Sequence, residues 1–324
     1  MRIGILTYHS SLNYGAVWQT YASVQFLRSL GHEAFVVDYR NSRDTLFYAP
    51  FSFDVGRARK EGLKYLIKYP ALVFARCRKA FAFRRFVRNR LPLLPLAEAE
   101  GLDVLLVGSD QVWNKQITGG PDPVYFGERF AGVRQVAWAA SAGRTVLEEA
   151  DIQALLKNFS AISVREQSLA GRIPQSIVLP DPTMMIGPAE WRKLVHPVKG
   201  KYLLAFPMLH EQEVMEVARQ KAREMQLELK VVTSYVKFRP RWIQAASPEE
   251  VLSLINAAEY VVTSSYHGAV LTRQFDRPHT FIFHDDPRFD TLLQTDLSLA
   301  PGKAKDFLDL TLNELAREAV ILGH

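Results

Sequence analysis

A single cysteine, Cys77, stands in 324 residues, which excludes an intramolecular disulfide and any cysteine-rich metal site. No apolar run reaches the roughly eighteen residues of a membrane-spanning helix. The first residues, MRIGILTYHSS, turn polar too soon for the h-region of a signal peptide, so a cytoplasmic address is expected. Two phosphate-binding signatures are also missing. The first loop, TYHSSLNYGA, lacks G-x-G-x-x-G, which disfavours an NAD or FAD enzyme, and no G-x-x-x-x-G-K-[ST] occurs, which excludes a P-loop. There is neither an internal repeat nor a low-complexity tract.

Acidic residues are scarce in one region. Across the chain 40 Lys and Arg face 34 Asp and Glu, a formal charge of +6, yet from Arg57 to Arg90 twelve basic residues meet one acid, Glu61. Phe74, Phe81, Phe83 and Phe86 interleave with these cations, a pattern that predicts one or two basic amphipathic helices over about 56–90. Such a face can be solvated while its stems cover a core, or it can rest on an anionic membrane surface. Nucleic acid is not expected as a partner.

What is present is alternation. Strand-like runs (Arg2 to Thr7, Ala34 to Asp38, DVLLVGS, RQVAWAAS, SAISVRE, SIVLPDP) alternate with helical patterns, beginning with Gly15 to Ser29 closed by Gly31. After the connector HPVKGKY a second series starts with KYLLAFPM and continues through LELKVVTS, EYVVTSS and HTFIFHD, again with helices between. The expected architecture is α/β, with two doubly wound domains, residues 1–183 and 184–324, and mostly parallel sheets carrying helices on both faces.

In such sheets ligands collect beyond the carboxyl ends of strands, where loops enter helix N-termini. In TSSYHGAV, Ser264 or Ser265 can cap a helix, Gly268 would let a ligand approach the backbone, and His267 can bond an anion, pass a proton, or merely pack. In VGSDQVWN, Asp110 can accept a proton or cap, Asn114 adds an amide, and Trp113 is a stacking platform or a core aromatic. Arg165, directly after a strand, suits a phosphate or carboxylate, or a salt bridge with an acid such as Glu166. Asp181, between two prolines, reads as a rigid structural turn. His284 to Asp286 reads as loop solvation, because consecutive residues rarely converge on one ion; no metal is expected.

Taken in order, NYGAVWQTYA, VGSDQVWN, VAWAASAG, ISVREQS, LPDPTMM with Trp191, SPEEVLSLINAAEYVVTSSYHGAVLTRQFDRP and RFDTLLQ resemble the polysaccharide pyruvyl transferase family over most of the chain. The resemblance implies two facing Rossmann-like domains of the GT-B kind. It implies phosphoenolpyruvate as donor substrate with no cofactor, and as acceptor a sugar of a cell-surface polysaccharide or its precursor, lipid-linked or not, joined as a pyruvate ketal. On the family's motif His267 is the expected catalytic acid, with Asp110 a further cleft residue of catalytic character. Arg165, Ser264, Ser265, Tyr266 and Gly268 are expected at the donor, and Asn13, Tyr14, Trp113, Asn114 and Lys115 at the acceptor or in the cleft. One departure stands out: some members carry Arg two positions before the motif histidine, where this chain has Ser265. Arg165, helix N–H groups, or a base such as Lys115, Arg241 or Arg273 would then have to hold the phosphate. The alternatives are a nucleotide-sugar glycosyltransferase of the same fold and a non-catalytic membrane-associated scaffold for glycan assembly.

Overall fold

The computed structural model describes residues 1–41, 51, 53, 55–130, 132–143, 145–237, 239, 241–284 and 287–322; Asp285 and Asp286 of the loop read above lie outside them. Among these residues seven strands form one parallel sheet: β1 (Arg2–Leu6), β2 (Glu33–Asp38), β3 (Leu93–Pro95), β4 (Val104–Val107), β5 (Arg134–Ala140), β6 (Ala161–Val164) and β7 (Ile177–Val178). Their order is β3-β2-β1-β4-β5-β6-β7. A second parallel sheet, in the order β11-β10-β8-β9, contains β8 (Tyr202–Phe206), β9 (Glu228–Val231), β10 (Tyr260–Thr263) and β11 (His279–Phe281). The expected pair of parallel, helix-flanked sheets is what forms.

The strands read as nearly unbroken apolar runs because both sheet faces are covered. Along β4, Val104 and Leu106 enter one core cluster while Leu105 and Val107 enter the other, the two-residue alternation of an extended chain. Register follows: Ile3 of β1 sits opposite Ala34 on one side and Val104 on the other. In the second sheet Tyr202, Leu204 and Phe206 point into the same cluster as Ile3, Trp18 and Trp138. The two halves therefore share one continuous core instead of meeting at a polar seam.

The longer helices are α1 (Tyr14–Ser29), α2 (Leu63–Arg90), α3 (Glu211–Glu224), α4 (Pro248–Ala257), α5 (Tyr266–Gln274), α6 (Pro287–Gln294) and α7 (Ala300–Leu322). Helix α7, expected with the second domain, packs back on the first: its Phe307 ring lies 6.3 Å from that of Trp138, and Leu308 and Leu312 join the shared core. Phe307 of α7 thus packs against a strand of the first sheet.

The basic segment folds as Val55–Glu61 followed by α2. Its phenylalanines divide between two faces. Phe83 and Phe86 are buried with Tyr65, Leu72 and Ala80, whereas Phe74 and Phe81 are 65% and 67% exposed, together with Leu63 and Ile67 at 72% and 71%. Positions 63, 67, 74 and 81 fall on one outward stripe of a 3.6-residue helix. Arg78, Arg84, Arg85 and Arg88 lie exposed beside it. No helix among the described residues is long and apolar enough to cross a membrane.

Candidate functional site

The carboxyl ends of both sheets open into one cleft of ≈ 550 Å³. From the first half come Tyr8 and Asn13 after β1, the first turn of α1 (Tyr14, Gly15, Ala16), and Asp110 with Gln111 after β4. From the second come Met208 and Leu209 after β8, Ser234 after β9, Ser264 to His267 after β10, and Arg288 of α6.

Two helix N-termini converge there. Asn13 caps α1, its Oδ1 accepting from the Gly15 N–H at 2.9 Å. Ser265 caps α5, its Oγ accepting from the Gly268 N–H at 3.2 Å. Each cap leaves first-turn donors at the positive end of a helix dipole. The two turns touch through Gly15, where an added Cβ would sit 2.0 Å from Nδ1 of His267. Only a residue without a side chain brings α1 against the imidazole.

His267 is 6% exposed on the cleft wall, and behind it lies a chain of buried charges. Its Nε2 is 3.3 Å from Oδ2 of Asp181, and the same oxygen accepts from Nη1 of Arg165. The other oxygen, Oδ1, accepts from the backbone N–H and hydroxyl of Thr183 at 2.9 and 2.6 Å. Burial alone would raise the Asp181 carboxyl, but Arg165, His267 and Thr183 outweigh it and hold it well below the usual carboxylate range. Burial opposes the charge of Arg165 too, yet Asp181, Tyr266, Asp110 and Glu166 keep the guanidinium above its ordinary value. Asp181 does form the expected turn; its second task, bracing the histidine, left no local signal because its partners lie 16 and 86 positions away along the chain.

Asp110 lines the cleft with left-handed backbone (φ 39°), and its Oδ1 is 3.6 Å from Nη2 of Arg165. Arg165 itself, expected at the donor, lies behind the wall: it is fully buried, donates to Ser109 Oγ at 3.3 Å, and stacks 4.9 Å from the Tyr266 ring centre. The guanidinium of Arg288 approaches that ring at 5.5 Å. Among the described residues the Tyr266 hydroxyl has no hydrogen-bond partner, and it is raised above its usual range by burial first and by Asp181 second.

Several expected residues sit elsewhere. Trp113 is fully buried, donating its indole N–H to the Tyr125 carbonyl at 3.0 Å and packing on Phe126 and Phe159, so it is a core aromatic. Asn114 caps a short helix, accepting from the Gln116 N–H at 3.0 Å, and Lys115 pairs with Asp151 at 2.8 Å; neither lines the cleft. Gly268 faces the sheet, where an added Cβ would meet Phe206 at 2.9 Å, so its small size serves packing rather than ligand approach. Ser264 lines the cleft but also ties down the loop after β8, its Oγ accepting from the N–H groups of Met208 and Leu209 at 3.0 and 3.2 Å. Arg273 donates to the carbonyls of Leu292 and Thr295, and Arg241 is exposed outside the cleft. Among the described residues the Lys or Arg lining the cleft is Arg288, in the RFDTLLQ segment, which carried part of the family resemblance without its arginine being singled out.

A further buried cation stands just outside. Lys79 of α2 donates to the Ser234 carbonyl and lies 5.0 Å from the Tyr14 ring centre, and burial pushes its amine down to about 7.

The family model for polysaccharide pyruvyl transferase matches residues 13–286. No curated protein matches the chain in sequence. Among solved structures, similarity extends to a putative UDP-N-acetylglucosamine 2-epimerase from Listeria monocytogenes, 10% identical over 95% of this chain and 88% of that one, TM-score 0.49. A UDP-GlcNAc 2-epimerase from Neisseria meningitidis is 10% identical over 95% and 92%, TM-score 0.47. The glycosyltransferase SsfS6 of Streptomyces sp. SF2575 is 14% identical over 97% and 96%, TM-score 0.40.

Proposed function

This chain belongs to the polysaccharide pyruvyl transferase family, and from that premise we propose that it closes a pyruvate ketal on a sugar of a cell-surface polysaccharide or its precursor, with phosphoenolpyruvate as donor. The observation that carries this reading is the pairing of His267 with Asp181 on the wall of a cleft that also presents Arg288 and two helix N-termini. An enol phosphate that is also a carboxylate needs cations and N–H donors to hold it and an acid to protonate its carbon. Arg288, the two helix N-termini and His267 are the groups we assign to these roles.

The chemistry runs in two halves. The His267 imidazolium gives its proton to the methylene carbon, positive charge develops on the neighbouring carbon, and one sugar hydroxyl adds there. Loss of the phosphate regenerates that electrophilic carbon, the second hydroxyl adds, and the hydroxyl protons leave to the base and the departing phosphate. Arg288 and the first-turn N–H groups of α1 and α5 balance the donor's negative charge. Asp181 keeps the imidazole oriented, while Arg165, behind it, fixes Asp181 and acts on the donor through that pair. Asp110, which also lines the cleft, is the carboxylate we assign to orient or deprotonate the acceptor.

Association with an anionic membrane surface through α2 is part of the same proposal. Its outward stripe of Leu63, Ile67, Phe74 and Phe81, flanked by arginines, has the composition of an interfacial helix. A lipid-linked acceptor would then meet the cleft close to that surface.

The test is incubation with phosphoenolpyruvate and a panel of lipid-linked and nucleotide-linked sugars, followed by mass spectrometry and phosphate assay. A product heavier by one pyruvyl ketal, with phosphate released only when a sugar is present, is expected. Hexose transfer from a nucleotide sugar, or no acceptor-dependent phosphate, would overturn the reading.

A further inference from the structure

We propose that His210, Glu213 and His284 form a binding site for one divalent transition-metal ion of the zinc class, at the rim of the cleft and outside its reacting volume. The donor atoms of these three exposed side chains all lie within 4.8 Å of one another. Nε2 of His284 is 3.1 Å from Oε2 of Glu213, close to the edge of a metal-centred tetrahedron. The two imidazoles meet edge to face, with ring centres 4.7 Å apart and planes at 80°.

The arrangement is assembled from separate parts of the chain. His210 is the N-cap of α3 and Glu213 stands three positions on, in its first turn. His284 arrives from the loop after β11, 71 positions further on. His210 occupies the N-cap with left-handed backbone, φ 51°, and makes no side-chain cap bond there. Ser, Asp or Asn would cap that end; a histidine does not, and its ring turns to His284 instead. The nearby cations Lys237 and Arg239 pair with Glu211, leaving Glu213 to the histidines. Two imidazoles and one carboxylate are borderline donors that select zinc, nickel or copper over calcium and magnesium, with water completing a four-coordinate shell.

The position gives such an ion a consequence. His210 directly follows Met208 and Leu209, which line the cleft and are held by Ser264. His284 stands four positions before Arg288, also on the cleft wall. An ion shared by His210 and His284 would tie these two loops together and fix the second-domain side of the cleft without touching a ligand inside it.

The experiment uses the tag-free, metal-stripped full chain. Titration calorimetry with Zn²⁺ alone is expected to give one saturable site, and Zn²⁺ should raise Tm. His210→Ala, His284→Ala and Glu213→Gln should each weaken binding by about tenfold or more, while His279→Ala, exposed but outside the cluster, should not. Co²⁺ should give the intense visible absorption of a four-coordinate site in the wild type and lose it in the His210→Ala, His284→Ala double variant. Absence of saturable binding, or binding unmoved in that double variant, means an adventitious ion only and overturns the proposal. These readouts do not require any transferase activity, so they stand or fall separately from the proposed reaction.

Discussion

Nε2 of His267 and Oδ2 of Asp181 lie 3.3 Å apart, and Arg165 donates to the same carboxylate oxygen from the interior. The histidine is thus the surface end of a buried Arg–Asp–His series. Its ring sits between Asp181, beside Nε2, and Gly15, against Nδ1.

Replacing Asp181 should separate the stabilising role from the catalytic one. Arg165 and Asp181 are both fully buried, so Asp181→Asn removes the nearest partner of the guanidinium at a cost of up to about 3–5 kcal/mol, reduced by the Asp110 and Glu166 carboxylates that remain. Adding Arg165→Met should restore part of that stability, because the Arg165 and Asp181 charges are then both gone while Asp110 and Glu166 lose their cation. Turnover should stay down by ~10² or more in both variants, and in His267→Gln, since the acid is misoriented or gone. The folded carboxyl lies below its ordinary range, so its stabilisation is complete above about pH 4 and fades as pH falls through the folded value. Denaturation curves and phosphate release measure the two effects; a double variant with wild-type turnover would remove Asp181 from the mechanism.

Arg288 should govern donor affinity. A charge-assisted hydrogen bond is worth about 1.5–3 kcal/mol, so Arg288→Gln is expected to raise KM for phosphoenolpyruvate by roughly 10- to 100-fold with a smaller change in kcat. Arg241→Gln, outside the cleft, serves as the control. Equal KM values in both variants would return the donor's charge to the helix termini alone.

The strand and helix pattern was legible because burial on both sheet faces writes itself as local apolar runs, as in VLLV of β4, and the cap of α5 shows in the Ser264–Ser265 pair, whereas the capping by Asn13 was not read. His267 was legible for the same reason: it follows a strand and opens a helix. What stayed hidden depends on distant partners. Nothing near Asp181 announces that its carboxylate meets a histidine 86 positions away, and nothing near Gly15 announces the ring pressed against it. Trp113 and Lys115 share a loop with Asp110 but turn into the core and toward Asp151, because a tight turn sends neighbouring side chains in different directions.

The outward face of α2 makes a salt-dependent prediction. Flotation with vesicles containing anionic lipid should carry the protein at low ionic strength and less of it at high, since screening weakens the cation contribution. An Ile67→Ser, Phe74→Ser, Phe81→Ser variant should float poorly although every arginine remains, because the apolar stripe supplies the insertion. Absence of flotation at either salt would reject the membrane surface.

Lys79 should make stability depend on pH in the neutral to alkaline range. Its folded amine lies at about 7, whereas an unfolded lysine titrates near about 10.4. Between those values the unfolded chain binds the extra proton, so stability rises with pH; below about 7 both states are protonated and the burial cost is fully present. From pH 7 to 9 the wild type should gain about 2 kcal/mol relative to Lys79→Met, an unbranched side chain without the charge that lies over Tyr14 and Phe83. Urea denaturation of both proteins at the two pH values gives the difference directly. Parallel pH profiles would mean that the amine keeps its proton against the Ser234 carbonyl and the two rings, and that α2 is held to the cleft wall by a permanent charge.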